Sequence, residues 1–322
     1  MNAMLAITNG DSAADLLADA GLAPRANILP WRDMLHVGRL AWTQTLAECS
    51  AIRVPFLVDG LHSMAAVTAG FAERDAVMAD HAQWDHIELW FEHDLYDQLQ
   101  LVQILDYFAR SGHRIERLFL VQADDFLGHQ TADTVLRFAH YREPITDVQL
   151  ACASRAWNAL TAATPEPAAA LTETDTHTLP FLHPALRRFL EELPSARTGL
   201  TRTQATILDL VCSGIDRPGR LFGQAQAREE AQFMGDLPFF RELDAMTFCE
   251  TPLLSGLAGH FHQGPEAHLA SHLSVTPFGN AVAAGSADYL AENTLDRWWG
   301  GTHLKMRNDW RWDAETERLQ KR

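Results

Sequence analysis

His86-Ile87-Glu88-Leu89-Trp90-Phe91-Glu92-His93-Asp94 passes from an apolar run to dense charge within a single step. The first six residues read as a buried strand, because a short apolar run bounded by charge fits that length. Immediately beyond, Tyr96–Arg110 repeats apolar residues at helical spacing, with Leu99, Val102, Leu105 and Phe108 on one face. A strand that runs directly into an amphipathic helix is half of a β-α-β unit. The pattern recurs on either side. Leu5–Thr8 is a short strand, followed by Asn9-Gly10-Asp11-Ser12 and a helix through Ala20 that Gly21 stops. Ser12 and Asp15 have the spacing of a capping box. Ala26–Trp31 reads as a second strand and Arg117–Val121 as a fourth, ending at Asp124-Asp125. Helices are expected over Leu40–Ser50, Met64–Asp80 and 147–163. Strands alternating with helices predict an α/β domain over 1–145 with a parallel sheet, of the Rossmann- or flavodoxin-like class. Residues 146–180 read as a helix and then a linker, since 161–178 is rich in Ala, Thr, Pro and Glu.

The second half, 181–322, has a different rhythm. Helices are expected over Pro184–Leu193, from Thr201, near Gly223–Met234 and near Leu237–Met246. Thr201 and Gln204 again show capping-box spacing. Extended pieces around Pro252–Leu257 and His272–Thr276 follow, and Thr276-Pro277 opens a last helix. Short helices followed by a hairpin is the winged-helix order, which in other proteins reads DNA. The tail holds Trp298, Trp299, Trp310 and Trp312, read as an arm clamped on the core because tryptophans at such density are usually buried. His260, His262, His268 and His272 sit between the two extended pieces and read as a loop rather than a zinc site, since no cysteine or carboxylate completes the set nearby.

Composition narrows the function. The chain has 322 residues, 47% hydrophobic and 21% charged, which is globular. Its formal net charge is −16, and residues 1–150 hold 10 Arg and no Lys against 21 acids. Residues 185–250 carry 8 Arg against 10 acids. Nucleic-acid binders concentrate positive charge, so a nucleic-acid partner is disfavoured, and the same field repels an anionic membrane. No apolar run reaches transmembrane length, and the first residues lack a basic, apolar leader, which points to the cytoplasm. Cys49, Cys152, Cys212 and Cys249 are far apart and form no CxxC pair, which fits free buried thiols.

In a parallel α/β sheet, ligands bind beyond the carboxyl ends of the strands. Three charged segments are expected there: Asn9-Gly10-Asp11-Ser12, Arg32-Asp33-x-x-His36 and Glu92-His93-Asp94-x-x-Asp97-Gln98. Asp11, Asp33, Glu92 and Asp94 are the expected metal ligands, with Asp97 extending the set. Clustered carboxylates need compensation, and Mg²⁺ or Mn²⁺ favours such oxygen donors. His36 and His93 are the acid–base candidates. Asn9, Gly10, Ser12, Arg32 and Gln98 are the expected substrate contacts, with Arg32 on an anion. Gly10 alone is no phosphate-loop fingerprint.

At these residues the chain resembles a bacterial family, domain-of-unknown-function family 1835. The resemblance lies in Ile7–Ser12, Trp31-Arg32-Asp33-x-x-His36 and Trp90–Gln98, and covers about residues 4–130. The second half resembles the companion domain that often follows it, through Pro180–Leu186, Gly199–Thr203 and Arg297–Gly301. One departure is Val37-Gly38-Arg39, where the resemblance implies an acid, Gly and Pro. The resemblance brings no activity with it. The leading expectation is a metal-assisted hydrolase or transferase of a phosphate-bearing small molecule. The alternative is a ligand-sensing regulator whose winged-helix-like half contacts a protein, with DNA the weaker partner. A third reading, a structural subunit, expects Arg32 to neutralise Asp33 or Glu92. A second copy of the chain is a further partner on which the helical half can pack.

Overall fold

Leu5, Ala6 and Ile7 are almost completely buried, because the strand that carries them has a neighbour on each side. The computed structural model describes residues 4–58, 63–112, 115–305 and 310–321. The chain divides into two compact units. The first comprises 1–186 with 300–302, the second 187–299 with 303–322. The elements of the first are β1 (Met4–Thr8), α1 (Asp11–Asp19), β2 (Ile28–Pro30), β3 (Gly38–Arg39), α2 (Leu46–Leu57), α3 (Met64–Ala79), β4 (His86–Phe91), α4 (Leu95–Ser111), β5 (Leu118–Gln122), β6 (Glu143–Pro144), α5 (Asp147–Leu160) and α6 (Glu166–Thr172).

The main sheet has the order β2-β1-β4-β5-β6. Its first four strands are parallel and β6 is antiparallel to β5. β1 pairs with β4 from Met4↔His86 to Thr8↔Trp90, so the two strands end side by side. α4 carries the largest share of the burial. Twelve of its 17 residues are buried, including five polar ones, Asp97, Gln98, Gln100, Gln103 and Asp106. Asp94 caps it at the N-terminus, and Gly112 ends it in the left-handed region at φ 68, which favours glycine.

Several elements depart from the sequence reading. α1 starts at Asp11 with Gly10 as its cap and no side-chain cap bond, so Ser12 is in the first turn and is not the cap. Asp15 is instead held by Arg25 at 2.7 Å. The helix expected over 40–50 begins at Leu46, because Thr45 and Glu48 form a reciprocal capping box. The segment expected as a linker contains α6, where Ala168 and Leu171 are buried. Its alanines favour helix over flexible chain.

The second unit is largely helical. α7 (Leu182–Leu190) runs into it, followed by α8 (Arg202–Cys212), α9 (Pro218–Gln226), α10 (Asp236–Thr247), β7 (Leu254–Ser255), α11 (Pro265–Leu269), β8 (Ser274–Val275), α12 (Pro277–Ala283), α13 (Tyr289–Glu292), β9 (Asp296–Gly300), β10 (Thr302–Lys305), β11 (Trp310–Asp313) and β12 (Arg318–Lys321). β7 and β8 are antiparallel, as are β11 and β12. Thr201 and Gln204 form the expected capping box on α8. The tryptophan-rich tail is strand, not helix. Trp299 donates to the Phe189 carbonyl at 2.8 Å and stacks on its ring, and Trp310 and Trp312 are buried. The histidine-rich stretch is ordered around His268, which is fully buried with Nδ1 3.1 Å from the Gly259 carbonyl. Cys49 and Cys152 are buried, but Cys212 is exposed. No helix among the described residues is long and apolar enough to cross a membrane.

In the first unit, Asp33 and Arg53 are both 0% exposed and pair at 3.0 Å. Arg53 also donates to the Met34 and Arg39 carbonyls. Removing one partner of a buried pair leaves the other charge uncompensated. Arg53→Ala is therefore expected to lower unfolding free energy by about 3–5 kcal/mol in urea titration. A loss under about 1 kcal/mol, the scale of an exposed ion pair, would contradict this account.

Candidate metal centre at the sheet edge

The order β2-β1-β4 means that the chain leaves β1 to one side and returns to the other. In open α/β sheets the crevice at such a reversal, outside the carboxyl ends of the strands, is where ligands bind. Asn9 follows β1 directly and Glu92 follows β4 directly. Asn9 Nδ2 donates to Glu92 Oε1 at 3.2 Å and to Asp97 Oδ2 at 2.9 Å. The asparagine thus ties the ends of the two central strands together through carboxylates.

Three acids converge here. Glu92, Asp94 and Asp97 are all buried, and one oxygen of each lies within 4.8 Å of the others. Their positions follow from local structure. Glu92 ends the strand. Asp94 caps α4 by accepting from the Asp97 N–H at 3.2 Å. Asp97 lies in the first turn and reaches back to accept from the Glu92 N–H at 2.7 Å. Gln98 Nε2 donates to the Glu92 carbonyl at 2.7 Å, which fixes the corner. The positive end of α4 favours acids here, though only by fractions of a charge.

The other buried acids show what is unusual. Asp33 has Arg53, Glu88 has Arg142 at 3.0 Å and His86 at 2.7 Å, and Asp106 has Arg110 at 2.9 Å. In the second unit Glu192 has Arg188 at 2.8 Å, and Asp244 faces His260 and His268 at 3.5 Å. Among the described residues, no cationic side chain pairs with Glu92, Asp94 or Asp97. Burial, then Asp97 and Asp94, push Glu92 up to about 10. Burial and Asp97 hold Asp94 well above the usual carboxylate range. Burial raises Asp97 to about 6. At Glu88 burial pulls the same way, but hydrogen bonds from His86 and Arg142 outweigh it and the carboxyl is lowered. The trio therefore needs protons or a cation to offset its charge. Oxygen donors of this kind suit a hard divalent ion, and the three residues can hold one. Two further buried oxygens at this edge, Gln98 Oε1 and Thr8 Oγ1, have no hydrogen-bond partner among the described residues.

Asp11 and Asp33, expected as metal ligands, are not in this group. Asp11 is half-exposed and bound by Arg32 at 2.6 Å and Arg25 at 3.1 Å, which holds it below its usual value. Asp33 turns into the core, toward Arg53 on α2 and Arg74 on α3. The turn responsible is at Arg32, whose φ of 58 lies in the left-handed region. Arg32 meets Asp11, and makes no ion pair with Asp33 or Glu92. His36 is buried with its ring edge-on to Tyr96 at 5.7 Å. His93 is half-buried against Phe126 and Phe181, and burial lowers it below the usual histidine value. Gly10 and Ser12 are at the start of α1. Gln98 and Asn9 serve as clamps on the acid corner. Asp97 is the strongest addition to the site. Its signal in the sequence is the spacing from Asp94, which is one helical turn.

In the metal-free protein these shifts set the pH dependence. Unfolded Glu92 ionises near 4.5, whereas the folded residue keeps its proton up to about 10. The folded state then binds more protons, so this contribution to stability falls as pH rises through that window. Asp97 adds the same sign between 3.8 and about 6. With EDTA present, the unfolding midpoint is expected to drop from pH 5 to 8 more steeply in the parent than in Glu92→Gln. Equal slopes would remove Glu92 as the cause. Comparison of the sequence with protein-family models and with curated proteins finds no match.

Proposed function

We propose that the Glu92, Asp94 and Asp97 corner is a divalent-metal centre, Mg²⁺ or Mn²⁺, of a hydrolase or transferase acting on a phosphate-bearing small molecule. The observation that carries this reading is that, among the described residues, no cationic side chain pairs with the three convergent buried carboxylates, whereas buried Asp33, Glu88, Asp106 and Glu192 each have an arginine. The strand order, which is that of flavodoxin-like winding, supports it by putting the corner at the reversal point. The resemblance to domain-of-unknown-function family 1835 through Trp90–Gln98 falls on the same corner.

Glu92, Asp94 and Asp97 would hold the ion, which would offset their charge and supply a Lewis acid for a phosphoryl oxygen. The chain's own residues do the remaining work. Asn9 holds the Glu92 and Asp97 carboxylates in place. Burial lowers His93 below the usual histidine value, which favours its proton-accepting form, and its Nδ1 has no hydrogen-bond partner among the described residues. Arg32 and the uncapped N-terminus of α1 lie next to Asn9, and Arg32 would meet the phosphate by exchanging it for Asp11, to which it is now paired. His36 is the second proton-carrying group. For the second unit a winged-helix-like role toward DNA is less well supported. Several of its arginines are tied into ion pairs, Arg188 with Glu229, Arg202 with Glu191 and Arg228 with Asp209.

The test is thermal unfolding of the full chain in EDTA, Mg²⁺ and Mn²⁺, beside the Asp94→Asn variant. Asparagine caps a helix as well as aspartate, so the fold should survive the change. An ion at 100 times its Kd adds about 2.7 kcal/mol, worth several degrees in midpoint. We expect that rise for the parent, its loss in the variant, and metal-dependent release of phosphate from 4-nitrophenyl phosphate. No rise with either ion would sink the metal centre. A rise without turnover would move the protein to the ligand-sensing reading.

A further inference from the structure

A pocket of about 530 Å³ lies beside the acid corner in the first unit. Its size is that of a small-molecule site. Tyr96, Met34 and Val67 keep partial exposure in its lining, with the buried Trp31, Phe71 and Leu57 behind them. Gly10 and Asp11 border it at the start of α1, and Arg32 does so while paired with Asp11. Tyr96 connects it to the corner, since it stands between Asp94 and Asp97 and its hydroxyl faces the Asn9 carbonyl at 3.4 Å.

Two of its residues go against local preference in opposite directions. Gly70 is inside α3, where alanine would be the better helix former. Packing does not ask for the glycine, because a Cβ there would meet nothing within 4 Å. The missing side chain leaves pocket volume open and has no other evident use. Arg32 has φ 58, where glycine would be the easier residue. Its backbone is held by a hydrogen bond from its N–H to the Asn9 carbonyl at 3.0 Å. A glycine where a side chain would stabilise, and a side chain where glycine would relax the backbone, border one cavity. Departures of that kind gather at functional sites. Gly10 adds to the pattern. Its backbone is extended, which any residue can adopt, and a Cβ there would also meet open space.

We infer that this pocket binds the flat aromatic ring of an aromatic phosphate, such as a nucleoside monophosphate, with Gly70 leaving room for the ring and Arg32 with the α1 N-terminus facing the phosphate. The phosphate part rests on the substrate class proposed above. The ring part stands on the pocket alone. Trp31 is the rigid backing of the cavity: it is fully buried, its indole N–H donates to Gln103 at 2.9 Å, and the Arg74 guanidinium covers its ring at 4.4 Å. Tyr96, which keeps partial exposure, offers the ring surface in front of it.

The experiment is calorimetric titration of the full chain with AMP, CMP and 1-naphthyl phosphate, with ribose 5-phosphate and adenosine as controls. Each titration is run in EDTA and again in Mn²⁺. At least one aromatic phosphate should bind in EDTA about tenfold or more tightly than ribose 5-phosphate and adenosine. Gly70→Leu, which fills the space, should weaken it by about tenfold or more. Gly70→Ala should unfold at the parent's midpoint or above and bind more weakly, which separates blocked binding from lost folding. Failure of all three aromatic phosphates to bind, equal binding of ribose 5-phosphate, or parent-like binding by Gly70→Leu would each overturn the pocket. The two readings fail separately. Aromatic phosphate bound in EDTA, with no response to Mn²⁺, keeps the pocket and removes the metal centre. Mn²⁺ bound with no aromatic phosphate does the reverse.

Discussion

A charge taken out of water must be met by an opposite one, and the first unit is organised around where that condition is fulfilled. Arg53 and Arg74 reach from neighbouring helices toward Asp33, and Arg142 and His86 hold Glu88. These pairs take three of the ten arginines in the first 150 residues, a stretch with no lysine. The corner after β4 receives none. Desolvation raises all three of its carboxyls, and mutual repulsion adds to it. The compensating positive charge has to be a proton or an ion. That imbalance distinguishes the corner from the other acids, and exposure or density of charge does not.

The sheet makes the imbalance tolerable. β1 and β4 are the central strands, locked together over five residue pairs. The deeply buried α4 anchors the corner from the other side. With so much apolar surface behind it, the domain can carry an unfavourable cluster at one edge. A site of this kind draws on stability generated elsewhere, and its geometry is correspondingly fixed. Asn9 reaches the trio from outside the β4–α4 segment and hydrogen-bonds two of its carboxylates, and the Leu127 backbone adds a hydrogen bond to Glu92.

Much of this was legible in the sequence because it is local. The strand His86–Phe91, the helix after it, the acids at their junction and the capping boxes all depend on neighbours within a few residues. The parts that were not legible depend on distant ones. Asp33 has the look of a ligand until Arg53, twenty positions on, proves to be its partner. Asp11 is claimed by Arg25 and Arg32 for the same reason. Nothing in Arg32-Asp33 announces a left-handed residue, since arginine rarely takes that conformation. Asp97 was visible only as an outlying member, because its role comes from folding back onto the Glu92 N–H. Gly70 passed unnoticed within a helical run. A lone glycine there is informative only once its surroundings are seen to be empty.

The three acids span six residues of continuous chain. Most oxygen-donor sites gather their donors from segments far apart in sequence and exist only when the whole fold does. This one forms with the corner itself. Its ion would bind to the segment joining the central strand and the most buried helix, which are the elements that open last when a domain fluctuates. Occupancy would then govern how often the heart of the sheet unlocks, while the loops around it went on breathing as before.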